Sequence, residues 1–254
     1  ASNLGAPMAR RIAKRVGIAA YIVDPVSVDE FEPLARVAGL PTIERRSFSH
    51  ALNLKATARA AARTLGRSYG QVNLVVAHLG GGISLSAHRR GRMIDVNQGL
   101  DGTGPFSPER AGGLPIGDVM RMAFSGQYTY DEMFYLLTRR GGLYAHLGTN
   151  DAQEVERRIA RGDEHARLIY EAMAYQIAKE IGLMATVLSG EVDAVVLTGS
   201  LAHSQMLLRW IRDRIEWIAP VVIFPGQREM LAMAQGALRV LRGEEKAKEN
   251  APNA

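Results

Sequence analysis

Cysteine is absent from the chain, which excludes disulfides and thiolate chemistry and fits a reducing, cytoplasmic setting. Long apolar runs are missing too. No stretch approaches bilayer-spanning length and no signal-peptide pattern is present, so no membrane partner is expected. Aromatics are scarce, at 6%, and no dense basic run is interleaved with them, which argues against nucleic acid as a partner. An initiator Met is lacking: the chain opens Ala1-Ser2-Asn3 and reads as a fragment or a processed form. What is present is 254 residues, 47% hydrophobic and 22% charged, enough for one large domain or two small ones around a substantial core.

Charge is uneven along that length. Residues 1–127 hold 16 Lys and Arg against 9 Asp and Glu, whereas residues 128–254 hold 15 against 17. The basic half suits an anionic small molecule, although scattered surface arginines would give the same count. Within that half, the apolar run Leu74-Val75-Val76-Ala77 reads as a buried strand that ends at His78-Leu79 and breaks into Gly80-Gly81-Gly82. An alternating segment from Ile83 to Ala87, a charged turn, and a short strand from Arg92 to Val96 follow. Three glycines strip every Cβ from the turn, so an anion can approach its backbone N–H groups. An ordinary tight hairpin carries the same signature. The turn leads into strands rather than opening a helix, which argues against a dinucleotide-binding fingerprint.

Helices are expected over Asn3–Val16, over Ser27–Leu40 as a short helix and loop interrupted by Pro33, and over Ala51–Leu65, Ile116–Phe124, Tyr130–Thr138, Asp151–Ala160, Asp163–Leu188, His203–Ile218 and Glu229–Leu241. In the last, Leu231, Ala234, Leu238 and Leu241 are expected to face inward. The stripe Ile169, Met173, Ile177, Ile181, Met184 and Leu188 fits a core or a subunit interface. Ala19–Val23 reads as a short strand, so the residue before Pro25, Asp24, is expected to project in extended geometry from its end, or merely to start a turn. Strands are also expected at Asp193–Thr198 and Val221–Phe224, and the segment from Glu244 to Ala254 is polar. His50 stands at the start of a helix, suited to an anion or a reacting oxygen or simply to the surface. Gly99–Pro115 is a Gly- and Pro-rich loop in which Arg110 is the charge suited to gripping a carboxylate or phosphate. A strand meander followed by alternating helices and strands matches an α/β, ribonuclease-H-like domain of the actin and sugar-kinase type, an analogy of fold alone.

Several motifs in sequence order make the resemblance specific: Ser2-Asn3-Leu4-Gly5-Ala6, Val23-Asp24-Pro25, Arg45-Arg46-Ser47 with His50-Ala51-Leu52-Asn53, His78-Leu79-Gly80-Gly81-Gly82-Ile83-Ser84, Gly104-Pro105-Phe106-Ser107-Pro108-Glu109-Arg110-Ala111-Gly112, Gly148-Thr149-Asn150-Asp151, Leu197-Thr198-Gly199 and Phe224-Pro225-Gly226. From Ala1 to about Arg242 the chain resembles the acetate kinase family, on its butyrate kinase branch. The resemblance implies reversible phosphoryl transfer between ATP and a short-chain carboxylic acid, giving ADP and an acyl phosphate, with Mg²⁺. It implies Asp24, His50 and Arg110 as catalytic residues, and Asp24 with Glu229 as the metal site. It implies His78, Gly80, Gly81 and Gly82 on the phosphates, and Asn150, Asp151, Gly199 and Ser200 on the adenosine side. It also implies a homodimer, to which the apolar face of 163–188 is a candidate contributor.

There are departures. Gly81 stands where acetate kinases carry Asn, a glycine usual in butyrate kinases; Ser200 replaces a glycine and Gln153 an arginine near the nucleotide. The family's preceding strand-turn-strand phosphate loop and substrate arginine do not occur in these residues. The resemblance therefore divides the chain into a remnant of an N-terminal domain (1–25), a nucleotide-binding domain (26–228), and a C-terminal helix and tail packing back toward the first (229–254). It also implies that the chain alone turns over poorly. A non-catalytic nucleotide-binding or dimerisation module is the competing reading.

Overall fold

A computed structural model of the chain describes residues 4–100 and 102–248. The motif positions Ser2, Asn3 and Asp101, and the end of the polar tail beyond Lys248, lie outside the described residues. The centre is a five-stranded sheet of β1 (Asn73–Leu79), β2 (Ile83–Arg89), β3 (Arg92–Val96), β4 (Ala194–Gly199) and β5 (Val221–Pro225), in spatial order β3-β2-β1-β4-β5. The first three strands form an antiparallel meander, and β4 and β5 run parallel to β1. The helices are α1 (Gly5–Val16), α2 (Pro33–Arg36), α3 (Ala51–Thr64), α4 (Ile116–Ala123), α5 (Tyr130–Arg139), α6 (Gly142–Leu147), α7 (Ala152–Ala160), α8 (Glu164–Val187), α9 (Gln205–Ile215) and α10 (Glu229–Leu241). No helix among the described residues is long and apolar enough to cross a membrane.

Strand alternation divides the core between the two faces of the sheet. Val75, Ala77 and Leu79 of β1, with Ile83, Leu85 and Ala87 of β2, join α8 and α9 in the larger cluster. Leu74 and Val76 face the other way, onto Ala58, Ala61 and Ala62 of α3. The α8 stripe is core: Met173, Ile177, Ile181 and Met184 are fully buried on the sheet. That face is therefore closed to a second copy. The opposite side of α8 carries the exposed Leu168, Tyr175 and Leu183.

Several local expectations are corrected. Residues 19–23 do not form a strand; no ladder partner lies beside them among the described residues, and Ile22 is 54% exposed. Asp24 is not extended but left-handed, at φ 39°, a conformation Asp tolerates better than most residues and which two cations hold, as described below. Pro33 does not interrupt a helix but begins α2, where its missing N–H costs nothing. The helix expected from His203 begins at Gln205 after a 3₁₀ turn at Ser200–His203, capped by the Ser204 hydroxyl. In α10 the buried positions are Ala232 and Gly236, while Leu231, Ala234, Leu238 and Leu241 are exposed. The approach there is too close for larger residues, since a Cβ on Gly236 would collide with Val23.

Candidate active site

Because β1, β4 and β5 are parallel, their C-terminal ends lie side by side. His78 pairs with Thr198, and Thr198 with Phe224. The glycine turn, Gly199-Ser200 and Pro225-Gly226 therefore share one edge, the usual ligand edge of such sheets. Gly199 has φ 96°, and a Cβ there would strike the Leu79 carbonyl, so the end of β4 closes directly onto β1. Gly199 and Gly226 exchange both backbone hydrogen bonds, at 3.1 and 2.9 Å. Ser200 is exposed just beyond.

Against the turn stand two histidines. His50 is the residue before α3, and its ring stacks on that of His78, with centroids 4.0 Å apart and planes 15° from parallel. Ser84 Oγ of β2 accepts from the His50 backbone N–H at 3.4 Å and lies 2.9 Å from His50 Nδ1. Asn53 Oδ1 lies 3.0 Å from His78 Nδ1, and Gln227 Nε2 lies 3.4 Å from His78 Nε2. Burial, then the Arg110 charge, pushes His50 down to about 4. Burial, then His50 and Arg110, pushes His78 down to about 3. Both rings are neutral at pH 7.

Arg110 completes the group. A Cβ on Gly82 would come within 2.5 Å of its Nη1, so the guanidinium lies on the bare glycine backbone. Nη1 donates to the Gly99 carbonyl, and Nε is buried with no hydrogen-bond partner among the described residues. Ser107 Oγ donates to the Gly81 carbonyl at 2.6 Å and accepts from the Arg110 N–H at 3.1 Å, tying the loop to the turn. Burial lowers the Arg110 pKa from its ordinary value, yet a guanidinium remains charged at any working pH. A fixed cation, an orphaned donor and a turn cleared of side chains make a site fitted to an anion.

Asn150 joins the same edge through Glu109. Its Nδ2 donates to Glu109 Oε1 at 3.2 Å, and that oxygen lies 3.4 Å from where a Gly81 Cβ would be. Asp151 caps α7, accepting from the Gln153 N–H at 2.9 Å. Asp24 makes a different set of contacts. Its oxygens lie 3.4 Å from Lys55 Nζ and from Arg59 Nη1, and it forms no hydrogen bond or ion pair with His50, His78 or Arg110. Lys55 is five residues past His50 on the same helix, roughly 7.5 Å along its axis. Lys55 also pairs with Glu30 at 2.7 Å. Glu229, at the first turn of α10, is exposed.

No cluster of three His, Asp or Glu side chains is present among the described residues. The donor set is therefore not an all-protein cage. An Mg²⁺ that arrives on phosphates and keeps its waters needs only one or two carboxylates; Asp24 is paired with Lys55 and Arg59, and Glu229 stands exposed.

Asn53, Ser84, Ser107 and Glu109 stand inside the motifs of the sequence without an assigned role, and Gln227 lies outside them. Ser84 and Asn53 had a signal: the first alternates onto the α3 side of β2, and the second is one helical turn beyond His50. Gln227 had none.

The chain matches the model of the acetokinase family over residues 42–215. Among solved structures it is similar to an acetate kinase of Porphyromonas gingivalis, at 21% identity and TM-score 0.75, covering 84% of this chain and 61% of that one. A propionate kinase from Francisella tularensis gives 22% identity and TM-score 0.73, covering 82% and 60%. An acetate kinase from Entamoeba histolytica gives 16% and 0.77, covering 91% and 69%. The chain thus spans about three-fifths of the length of the first two. The mixed α/β sheet is the fold of these kinases, within the actin and sugar-kinase-like architecture.

Proposed function

This chain belongs to the acetokinase family, and from that premise we propose that it forms the nucleotide side of a short-chain carboxylate kinase. The reaction is ATP plus a carboxylate to ADP plus an acyl phosphate. A carboxylate oxygen bonds to the γ-phosphorus as the bond to the ADP oxygen breaks. Such transfer asks a protein mainly for positioning and charge stabilisation. One observation carries the reading: the stacked His50–His78 pair and the Arg110 guanidinium meet over Gly80–Gly82. Arg110 supplies permanent positive charge to the moving phosphoryl oxygens, and His50 a neutral N–H. His78 and the glycine turn bound the phosphate cradle. Asn150, Asp151, Gly199 and Ser200 take the nucleoside side. Mg²⁺ bound with the nucleotide would neutralise phosphate charge, its waters held by Asp24 and Glu229.

A four-carbon or branched acid is the substrate we favour, because Gly81 is the residue of the butyrate branch. We further propose that residues 1–25 and 229–254 belong with a second domain, that the enzyme works as a homodimer, and that the 254-residue chain alone turns over slowly. The similar kinases are longer than the chain, so the acid side of the cleft need not be complete within it. The test is acyl phosphate formation from ATP and butyrate, trapped as the hydroxamate, alongside ADP binding by calorimetry. Arg110→Ala and His50→Ala should each lower turnover by roughly 100- to 1,000-fold while ADP binding changes little. Variants that match the parent in turnover would leave only a nucleotide-binding module.

A further inference from the structure

We propose that Ser84 and Asn53 are positioning residues that lock the stacked histidines in opposite tautomers. His50 then carries its proton on Nε2, and His78 carries its proton on Nδ1. The use made of this arrangement rests on the kinase reading above; the tautomers themselves do not.

The Ser84 side chain is 0% exposed. One lone pair of its oxygen already accepts the His50 backbone N–H. Its proton has one acceptor among the described residues, His50 Nδ1 at 2.9 Å. A buried hydroxyl left without an acceptor is costly, so Nδ1 accepts and the His50 proton resides on Nε2. That nitrogen has no protein partner among the described residues and is free to donate to an incoming oxygen. For His78 the order reverses. The Gln227 amide nitrogen faces Nε2, and the Asn53 carbonyl oxygen faces Nδ1. Nε2 therefore accepts, and Nδ1–H donates.

The consequence divides the labour within the pair. An Nε2 lone pair cannot hold a phosphate oxygen, so His78 braces the Gln227 segment and the His50 ring rather than the anion. His50 offers a donor that stays in place as pH varies around neutrality, since neither ring protonates there.

The test is long-range ¹H–¹⁵N correlation on the ¹⁵N-histidine-labelled chain, with the six histidines assigned by single substitution. The expected result is a pyridine-type Nδ1 and pyrrole-type Nε2 for His50, and the reverse for His78. Ser84→Ala should give His50 averaged nitrogen shifts and lower kcat about tenfold, part of the roughly 100- to 1,000-fold that loss of a whole donor costs, with KM for nucleotide unchanged. Ser84→Thr, which keeps the hydroxyl, should restore both. A pyrrole-type Nδ1 on His50, or a pyridine-type Nδ1 on His78, in the unsubstituted chain overturns the proposal whether or not the variants fold. So does a Ser84→Ala chain with an unchanged His50 spectrum and unchanged kcat. Should the parent show the expected tautomers yet form no acyl phosphate, the kinase reading fails and the tautomer assignment stands.

Discussion

Arg110 occupies space that a glycine leaves empty, and this makes the pair separable by substitution. A methyl at Gly82 must displace the guanidinium, whose Nη1, Cζ and Nη2 it would meet at 2.5, 2.7 and 3.2 Å. Gly82→Ala is therefore expected to cut turnover by about 100-fold or more with a much smaller change in melting temperature. Arg110→Lys should not rescue it: one ammonium cannot hold Gly99 and a phosphoryl oxygen in the same plane. Steady-state kinetics beside thermal melts separate the two effects. Lys55 is the opposite case. It is 5% exposed and compensates both Asp24 and Glu30. Lys55→Ala strands the part-buried Glu30 and leaves Asp24 to Arg59 alone; it should cost about 3 kcal/mol of stability, read from urea unfolding, and a loss under about 1 kcal/mol would mean that water already screens the cluster.

At the scale of elements, the site depends on how strand ends meet. Gly199→Ala pushes a Cβ into the Leu79 carbonyl from a left-handed backbone. It should destabilise by roughly 1–3 kcal/mol and loosen the edge that carries Ser200; thermal melts beside nucleotide-binding calorimetry check both. The meander and α8 are legible in the sequence because their apolar periods of two and 3.6 reflect burial on one sheet. The segment at 19–23 misleads because apolar composition signals a strand only where a ladder partner exists. Likewise the pattern of α10 points the wrong face inward, because periodicity finds the large residues while close packing selects Ala232 and Gly236. Helix α6 has no signal, since it is six residues starting at a left-handed glycine. At the site, His50, His78 and Arg110 can be singled out by residue type and motif. Strand alternation and helical spacing put Ser84 and Asn53 on the right side, but which ring each one bonds, and the contact from Gln227, are set by tertiary register and leave no local pattern.

The whole molecule concentrates neutral histidines on the α3 side of the sheet. Beside His50 and His78, His88 is fully buried between Tyr69 OH at 2.7 Å and Ser86 Oγ at 2.8 Å. Burial, then Lys55 and Arg59, pushes it down to about 3. All three rings are held below the ordinary value of 6.5. The unfolded chain therefore takes up protons that the folded one refuses. Stability is full above about pH 6.5 and falls as pH drops toward the folded values of about 4 and 3. Each proton taken up on unfolding contributes about 1.4 kcal/mol per pH unit. The lowered carboxylates Asp29, Glu132, Asp163 and Glu245 act in the same direction but only below their ordinary range. Glu180, raised by burial, opposes them. Between about pH 6.5 and pH 5 the histidines therefore dominate, and the melting temperature should fall steeply there. His88→Phe tests the cause: removing one of the three should flatten that slope by about a third if each contributes one proton. A melting temperature unchanged from about pH 7 to about pH 5 would show that these rings are reached by solvent protons in the native state.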